Sequence, residues 1–308
     1  MSKFSATAEV VAFPMQANTT HNTSTEEMGV SVVIATLGGD SLDLTIRSLN
    51  SGTVVPAEIL VCVPVENASK VAHLQGGTTS IVQTDSRGQV AQRSAGFRRA
   101  SHELVMQLDD DLLLDRLCLE RLAQTLHSLG SKAAVAPALL DVQTGLSVYK
   151  KPAKNSVVLG LYYWLMNGSS GYAPGKIDLS GSSIGLDPFV SPGRLHDVEW
   201  LAGGCVLHYR ENLVIENFWP LPGKAYYEDV VHSSILAANG VRLVIDTNAR
   251  CSLELFSQAS FAPMDFFRNL YSDYLGRRYF IRRFSRQSFR IYLYYSGRIL
   301  SYLFSRFK

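Results

Sequence analysis

Two groups of carboxylates, about 120 residues apart, are the side chains of this sequence best suited to carry out chemistry. Asp109, Asp110 and Asp111 follow an apolar run, and Glu228 and Asp229 follow two tyrosines. Carboxylates at the end of a buried strand are costly unless a positive charge neutralises them, and Mg²⁺ or Mn²⁺ prefers such oxygen ligands. A carboxylate can also take the proton of an attacking hydroxyl. The two groups together therefore suit metal binding and general-base catalysis.

Each group taken alone also has a plainer interpretation. Alternate residues of an extended segment share a side, so Asp109 and Asp111 can converge on a cation while Asp110 points away. The same three residues would also suit an acidic loop. Glu228 and Asp229 could simply stabilise the N-terminus of a helix through its dipole. The chemical interpretation is favoured because both groups lie at element boundaries of an α/β pattern.

The apolar runs around these carboxylates predict strands that alternate with helices. Strands are expected at residues 30–36, 58–63, 80–83, 103–108, 133–139 and 241–246, and helices begin near residues 41, 89, 115 and 228. This alternation predicts an α/β fold with a mostly parallel sheet flanked by helices. Ligands of such sheets bind beyond the carboxyl ends of the strands, where the three aspartates fall. Residues 150–192, rich in Gly, Ser, Pro and aromatics, are expected to form loops and short strands.

The charge of the chain is unevenly distributed. From Asp265 to the end there are ten Lys or Arg and two Asp, whereas the preceding residues carry a net charge of −6. Arg282, Arg286 and Arg290 recur at every fourth position with aromatic residues near the opposite side, a pattern typical of an amphipathic helix. We expect this tail to attach the protein to an anionic membrane surface; packing on the rest of the chain is the alternative. The acidic body argues against a nucleic-acid partner.

The N-terminal residues and the cysteines indicate the cellular compartment of the protein. Residues 1–28 lack an apolar segment of the kind found in signal peptides and are expected to form a flexible leader. The four cysteines form no CxxC pair and have apolar neighbours, so we expect reduced core residues. The expected location is the cytoplasm, at the inner face of the cell membrane.

Motifs along the chain resemble those of family 2 glycosyltransferases with the GT-A fold, and they keep the family's order between about residues 30 and 280. The opening strand at 30–36 is similar to the first strand of the family. The other matching segments are Arg87-Gly88 with residues 92–96, Asp109-Asp110-Asp111 as a DxD motif, residues 200–205 as WLxGG, and Tyr227-Glu228-Asp229 as an (F/Y)ED motif.

This resemblance implies a GT-A catalytic domain at residues 29–263, with a nucleotide-binding donor half at about 29–140 and an acceptor half at about 141–263. Residues 264–308 would form the basic, aromatic helical tail. The implied activity is the inverting transfer of a hexosyl or deoxyhexosyl group from a nucleotide-diphosphate sugar to a hydroxyl of a glycan or lipid-linked acceptor. Bacterial polysaccharide enzymes such as rhamnosyltransferases are the members that the sequence resembles.

The resemblance also implies roles for individual residues. Asp111, with Asp109, would bind Mg²⁺ or Mn²⁺ on the donor diphosphate. Asp229 would be the general base, and Glu228 would hold the acceptor or orient the base. The residues expected to contact the donor are Thr36, Glu66, Asp85, Arg87, Arg93, Asp109, Asp110, Gly203 and Gly204.

Two departures from the family pattern leave alternatives open. Residues 249–254 contain no His as a further metal ligand, so either Glu254 takes its place or Asp111 and the phosphates hold the metal. Glu66 lies where family members often have Asp, and Asp85 is a rival contact for the nucleoside. His232 is expected on a helix surface. The alternative functions are a catalytically weak scaffold at the membrane and a nucleotidyltransferase, although residues 37–40 lack the basic residue that the latter needs.

Overall fold

A computed structural model describes residues 29–149, 157–189, 193–221, 225–254, 263–284 and 289–306. The leader expected at residues 1–28 lies outside these ranges. In chain order the described elements are β1 (Val30–Ala35), α1 (Leu42–Asn50), β2 (Glu58–Pro64), α2 (Ala68–Val71), β3 (Thr79–Thr84), α3 (Gln89–Arg99), β4 (Leu104–Asp109), β5 (Leu113–Leu114), α4 (Cys118–Leu129), β6 (Ala133–Asp141), α5 (Val157–Asn167), β7 (Leu195–Asp197), β8 (Cys205–Tyr209), α6 (Glu228–Ala238), β9 (Arg242–Leu253), α7 (Pro263–Arg283) and α8 (Arg290–Arg306).

The strands form one sheet in the order β3-β2-β1-β4-β8-β6-β9-β5, and β7 pairs with β9. The first four strands are all parallel, as is the long β6–β9 pair, whereas β8 lies antiparallel between β4 and β6. Every residue of β1 is buried, which explains its run of apolar, β-branched residues. The predicted α/β architecture is confirmed. All four cysteines are buried and unpaired, as expected.

The register of the parallel strands brings several predicted site residues to one edge of the sheet. Ala35 at the end of β1 pairs with Cys62 on one side and Asp109 on the other. Pro64 at the end of β2 pairs with Thr84 at the end of β3. Residues that follow these strands, including Thr36, therefore lie along the carboxyl edge, where α/β sheets bind ligands.

The tail consists of two helices, α7 and α8, that pack on the rest of the chain. Phe280 and Ile281 of α7 and Ile291 and Tyr295 of α8 are buried in a cluster that also contains Tyr227. The tail expected to be helical is helical in its described residues: α7 ends at Arg283 and α8 begins at Arg290. The residues between them include Arg286, which lies outside the described ranges. The domain boundary at residue 263 stays a prediction.

A helix stands where the sequence suggested loops. Residues 157–167 form α5, which contains no charged residue. Its composition is apolar on all sides, so it has no helical periodicity that a sequence pattern could reveal. Only Met166 of this helix is fully buried. Among the described residues, no helix, α5 included, is both long and apolar enough to cross a membrane.

Candidate active site

Arg93 connects the two carboxylate groups. Its Nη1 donates to Glu228 Oε1 at 2.6 Å, and its Nη2 donates to Asp109 Oδ1 at 2.5 Å. Only 4% of the Arg93 side chain is exposed, compared with 7% of Glu228 and 28% of Asp109. Burial alone would lower the pKa of Arg93, but the charges of Glu228 and Asp109 outweigh it and raise that pKa. The carboxylates at the end of β4 and the start of α6 therefore share one cation.

This placement gives Arg93 a structural role beside the donor contact expected from the sequence. A contact with the donor base or phosphates requires an accessible guanidinium. Both terminal nitrogens of Arg93 are instead engaged by protein groups, since Nη2 also donates to the Gly203 carbonyl at 3.0 Å. Arg93 therefore holds the two carboxylates in place, and its contact with the donor stays a prediction.

Gly203 and Gly204 lie between the two carboxylate groups. A Cβ atom on Gly203 would stand 2.9 Å from Glu228 Oε1 and 3.3 Å from Asp229 Cβ. A Cβ atom on Gly204 would stand 3.2 Å from Asp109 Oδ2 and 3.0 Å from Leu112 Cδ1. Because neighbouring Cα atoms are about 3.8 Å apart, Asp109 and Asp229 lie on the same side of the molecule, close to one another.

Alanine at these glycines is expected to disturb the site. Gly203→Ala and Gly204→Ala should each lower the free energy of unfolding by about 1–3 kcal/mol, because the added carbon displaces buried carboxylates. Urea unfolding measures the effect. Gly160→Ala is the control, since its Cβ would meet open space within α5 and should stabilise the helix by about 0.5–1 kcal/mol. A Gly203→Ala variant as stable as the wild type would contradict this geometry.

Asp229 has the electrostatic character of a base poised near neutral pH. Burial, and then the charge of Glu228, raise the pKa of Asp229 to about 7. The backbone N–H of Val230 donates to Asp229 Oδ1 at 2.8 Å and opposes this rise. Burial also raises the pKa of Glu228, against the effect of Arg93. A carboxylate with a pKa near the working pH is well suited to accept a proton.

The residue before this acidic pair is held in a strained conformation. Tyr227 has φ of 77°, and it is the one residue other than glycine with positive φ in the described chain. Such a conformation costs a bulky residue about 1–2 kcal/mol. The neighbouring helix α7 supports it: the Arg277 guanidinium lies 4.7 Å from the Tyr227 ring centre, and a Cβ on Gly276 would stand only 2.2 Å from the Tyr226 carbonyl oxygen. The tail thus packs directly against the segment that presents Glu228 and Asp229.

The donor-side aspartates have distinct partners. Asp109 Oδ1 also accepts a hydrogen bond from Gln89 Nε2 at 2.7 Å. The Thr36 hydroxyl donates to Asp110 Oδ2, so Asp110 turns toward the end of β1. Burial raises the pKa of Asp110. Asp111 is exposed.

The other predicted donor contacts are exposed at the carboxyl edge of the sheet. Glu66 follows β2, and Asp85 and Arg87 lie in the loop between β3 and α3. No hydrogen bond ties these three side chains into the network around Arg93, so their roles stay predictions. The Glu254 side chain, proposed above as a metal ligand, accepts a hydrogen bond from Gln143 Nε2 at 3.1 Å.

The carboxylates of the site suit a metal ion whose coordination is completed by the phosphates of a substrate. Within the described ranges, no three or more His, Cys, Asp or Glu side chains are grouped to hold a metal ion. Asp111 is exposed, and Asp109 retains Oδ2 because Gln89 and Arg93 use only Oδ1. Mg²⁺ commonly binds through one or two carboxylates together with substrate phosphates. These residues therefore suit Mg²⁺ or Mn²⁺ on a diphosphate.

His232 is buried, so its expected position on a helix surface is wrong. Its ring stacks on Phe218 with centres 5.7 Å apart and lies 5.6 Å from the His208 ring. Burial lowers the pKa of His208 to about 3 and that of His232 well below its usual value. His232 follows Glu228 by one helical turn, so both face the interior from the same side of α6. Both histidines are neutral at pH 7, which leaves Arg93 as the cation next to Glu228.

Sequence reasoning missed several glutamines that build the site. Gln107 Nε2 donates to the Gly203 carbonyl at 2.6 Å, and Gln92 Nε2 donates to the carbonyls of Thr36 and Cys62 at 2.7 Å each. Gln92 lies within a segment that matched the family motif, which is the one signal that pointed to it. Gln107 lies in the apolar run of β4, where its amide was the only polar side chain before Asp109.

The fold and the site can be compared with known proteins. Residues 64–164 match the model of the family described as glycosyl transferase family 2. The crystal structure of GalNAc-T7 with UDP, GalNAc and Mn2+ superposes with a TM-score of 0.53 and 20% identity, covering 77% of this chain and 45% of that chain. The structure of S. aureus TarS 1-349 in complex with UDP-GlcNAc gives a TM-score of 0.46 and 14% identity, covering 81% of this chain and 66% of that one. A search of curated proteins by sequence found no match.

These observations define the fold of the protein: it is the GT-A fold, with carboxylates at the expected edge of the sheet. Residues 64–164, about a third of the chain, are similar to glycosyl transferase family 2. The chain spans less than half the length of the GalNAc-T7 structure that it matches.

Proposed function

We propose that this protein is an inverting glycosyltransferase that moves a sugar from a nucleotide-diphosphate donor to a hydroxyl of a glycan or lipid-linked acceptor. The observation that carries the proposal is the contact of Arg93 with both Asp109 and Glu228. It joins the edge of the sheet that suits a donor to the helix that presents a base. In a direct displacement, the leaving diphosphate and the base must lie on opposite sides of one anomeric carbon.

On the acceptor side, Asp229 takes the proton of the attacking hydroxyl. Its raised pKa makes it a stronger base than an exposed aspartate while leaving a substantial ionised fraction near pH 7. Glu228 cannot share this role while it is buried and bound to Arg93. Glu228 and Arg93 instead hold the first turn of α6 against the donor side. One displacement by the acceptor oxygen inverts the anomeric configuration.

On the donor side, Asp111 and Asp109 are the residues that would hold a divalent cation. When bound, the cation neutralises the charge that develops on the departing diphosphate. Gln89 and Arg93 fix the orientation of Asp109 through its Oδ1 atom. UDP-sugars are the first donors to test, since the GalNAc-T7 structure of the same fold contains UDP and Mn2+.

The acceptor would enter along a tyrosine-lined groove of about 320 Å³. Tyr149 lies at the inner end, where the charge of Asp229 adds to burial in raising its pKa. Tyr163 of α5 and Tyr294 of α8 line the outer part. Tyrosine rings with hydroxyl groups suit a sugar, which offers both C–H faces and hydroxyls. The basic tail next to this groove supports action at an anionic membrane surface, where a lipid-linked acceptor would be found.

Donor binding tests this proposal. UDP-, GDP- and dTDP-sugars are screened for a rise in melting temperature with and without Mn²⁺, and hydrolysis of the best donor is then measured. Asp111→Ala is expected to reduce the Mn²⁺-dependent shift and hydrolysis by about tenfold or more, because a carboxylate proposed to bind the metal is lost. Asp115→Ala is the control, because Asp115 is also exposed and lies just after β5.

Three outcomes separate the alternatives. A shift that depends on Mn²⁺ and Asp111 supports the transferase. A donor that binds without hydrolysis or transfer to any acceptor supports a weak, scaffold-like protein. The proposal fails if none of the nucleotide-sugars raises the melting temperature, or if Asp111→Ala behaves like the wild type.

A further inference from the structure

Helix α5 is apolar on all sides but packs on one side only. Val157 is 89% exposed, Val158 77%, Leu161 56% and Trp164 58%. These residues follow the spacing of one helical face, whereas Met166 on the other side is buried. An apolar helix normally buries its whole surface in a protein core or in lipid. A patch of this size on a folded surface marks an interaction site.

Helix α8 extends the apolar surface beside α5. The Arg290 guanidinium at the start of α8 donates to the Leu165 carbonyl at the end of α5, and a Cβ on Gly297 would stand 3.5 Å from the Tyr162 ring. The side of α8 turned away from the core also exposes large apolar residues, namely Tyr292, Leu293, Leu300 and Leu303 at 63%, 41%, 53% and 42%. The two exposed faces therefore belong to adjoining helices.

The charged side chains of the two helices themselves have one sign. Neither α5 nor α8 contains Asp or Glu. Arg290 and Arg298 lie within α8, and Arg282 and Arg283 are exposed at the end of α7. Such a surface is complementary to anionic lipid headgroups, each arginine near the membrane contributing about 1 kcal/mol. It is not complementary to a second copy of itself, because a two-fold interface would bring the same arginines together.

We propose that α5 and α8 form a membrane-docking face, in which α5 lies in the interfacial plane of an anionic bilayer. The eleven residues of α5 extend about 16 Å, too short to span the hydrocarbon core but suited to lie along its surface. Trp164 is the type of residue that anchors a helix at the boundary between headgroups and acyl chains. The tyrosine groove, lined by residues of both helices, would then open at the membrane. This last consequence rests on the proposed function, whereas the docking itself does not.

Binding of the full chain to lipid vesicles tests the docking face. The probes are vesicles of phosphatidylcholine alone and of phosphatidylcholine mixed with phosphatidylglycerol, in a sedimentation assay at fixed ionic strength. The wild type is expected to bind the mixed vesicles. Leu161→Gln combined with Trp164→Gln should weaken binding about tenfold, since two large apolar side chains no longer enter the lipid. Both positions are exposed, so the fold is preserved, which circular dichroism checks.

Leu44→Gln is the matched control, because Leu44 is 51% exposed on α1, outside the docking face. It should bind vesicles like the wild type. The proposal is overturned if the wild type does not bind the mixed vesicles, or if the double variant binds as well as the control. It is also overturned if light scattering shows a dimer that the double variant dissociates while vesicle binding stays the same. Asp111→Ala should retain vesicle binding, so a failed transferase and a failed docking face give different results.

Discussion

Replacing Arg93 with methionine is expected to lower the free energy of unfolding by about 3–5 kcal/mol and to abolish sugar transfer. The reason is that Glu228, whose side chain is 7% exposed, would remain buried without its cation, and Asp109 would lose the same partner. Glu228 and Asp109 would then repel each other across Gly203. Urea unfolding and a transfer assay measure the two effects.

Two further variants interpret this result. Arg98→Met changes an exposed arginine on the same helix and should shift the free energy of unfolding by no more than about 0.5 kcal/mol. Arg93→Met combined with Glu228→Gln should recover part of the lost stability, because a neutral amide replaces the unpaired buried carboxylate. Transfer should stay absent in this double variant. A single Arg93→Met variant with wild-type stability would show that the ion pairs do not hold the site together.

Replacing Asp229 with asparagine is expected to reduce transfer by about a hundredfold or more while donor binding is retained. The amide has nearly the shape of the carboxylate but cannot accept the proton of the attacking hydroxyl. In the wild type, transfer should rise as the pH increases through about 7, since the base is active only when ionised. Asp265→Asn on α7 is the control and should transfer at the wild-type rate. A profile without this rise would argue against Asp229 as the base.

The same substitution should stabilise the fold. The pKa of Asp229 is raised from about 3.9 in the unfolded chain to about 7 in the folded protein, so the folded state holds its proton more tightly. Its contribution to stability is therefore lost as the pH rises from about 4 to about 7. Asp229→Asn removes this loss and should exceed the wild type in melting temperature at pH 8 but not at pH 4. Equal melting temperatures at pH 8 would contradict the raised pKa.

The edge of the sheet could be predicted because the end of each short apolar run marks the end of a strand. Asp109 at the end of β4 and Thr36 after β1 lie where the alternation of strands and helices predicts. The parallel register of the two strands brings these ends side by side. The order of the motifs along the chain also predicted that the (F/Y)ED segment belongs to the same site. These are local patterns, and strand periodicity reports them directly.

Other features depend on contacts that no local pattern encodes. The contact of Arg93 with Glu228 could not be predicted from the sequence, because the two residues are 135 positions apart. The positive φ of Tyr227 is maintained by α7, which packs against it from the far end of the chain. Helix α5 lacks the alternation of polar and apolar residues by which amphipathic helices are identified. In each case the structure is fixed by tertiary packing and not by the neighbouring sequence.

Because Arg93 and Glu228 are 135 positions apart, they leave the ribosome at different times during synthesis. The ribosome releases the donor half first, so Arg93 can meet Asp109 while α6 does not yet exist. Glu228 arrives later, and α7 must follow before the strained Tyr227 backbone has its support. The nascent chain can thus pair strands β1 to β4 early, whereas the segment that presents Glu228 and Asp229 gains its support only after α7 has been made.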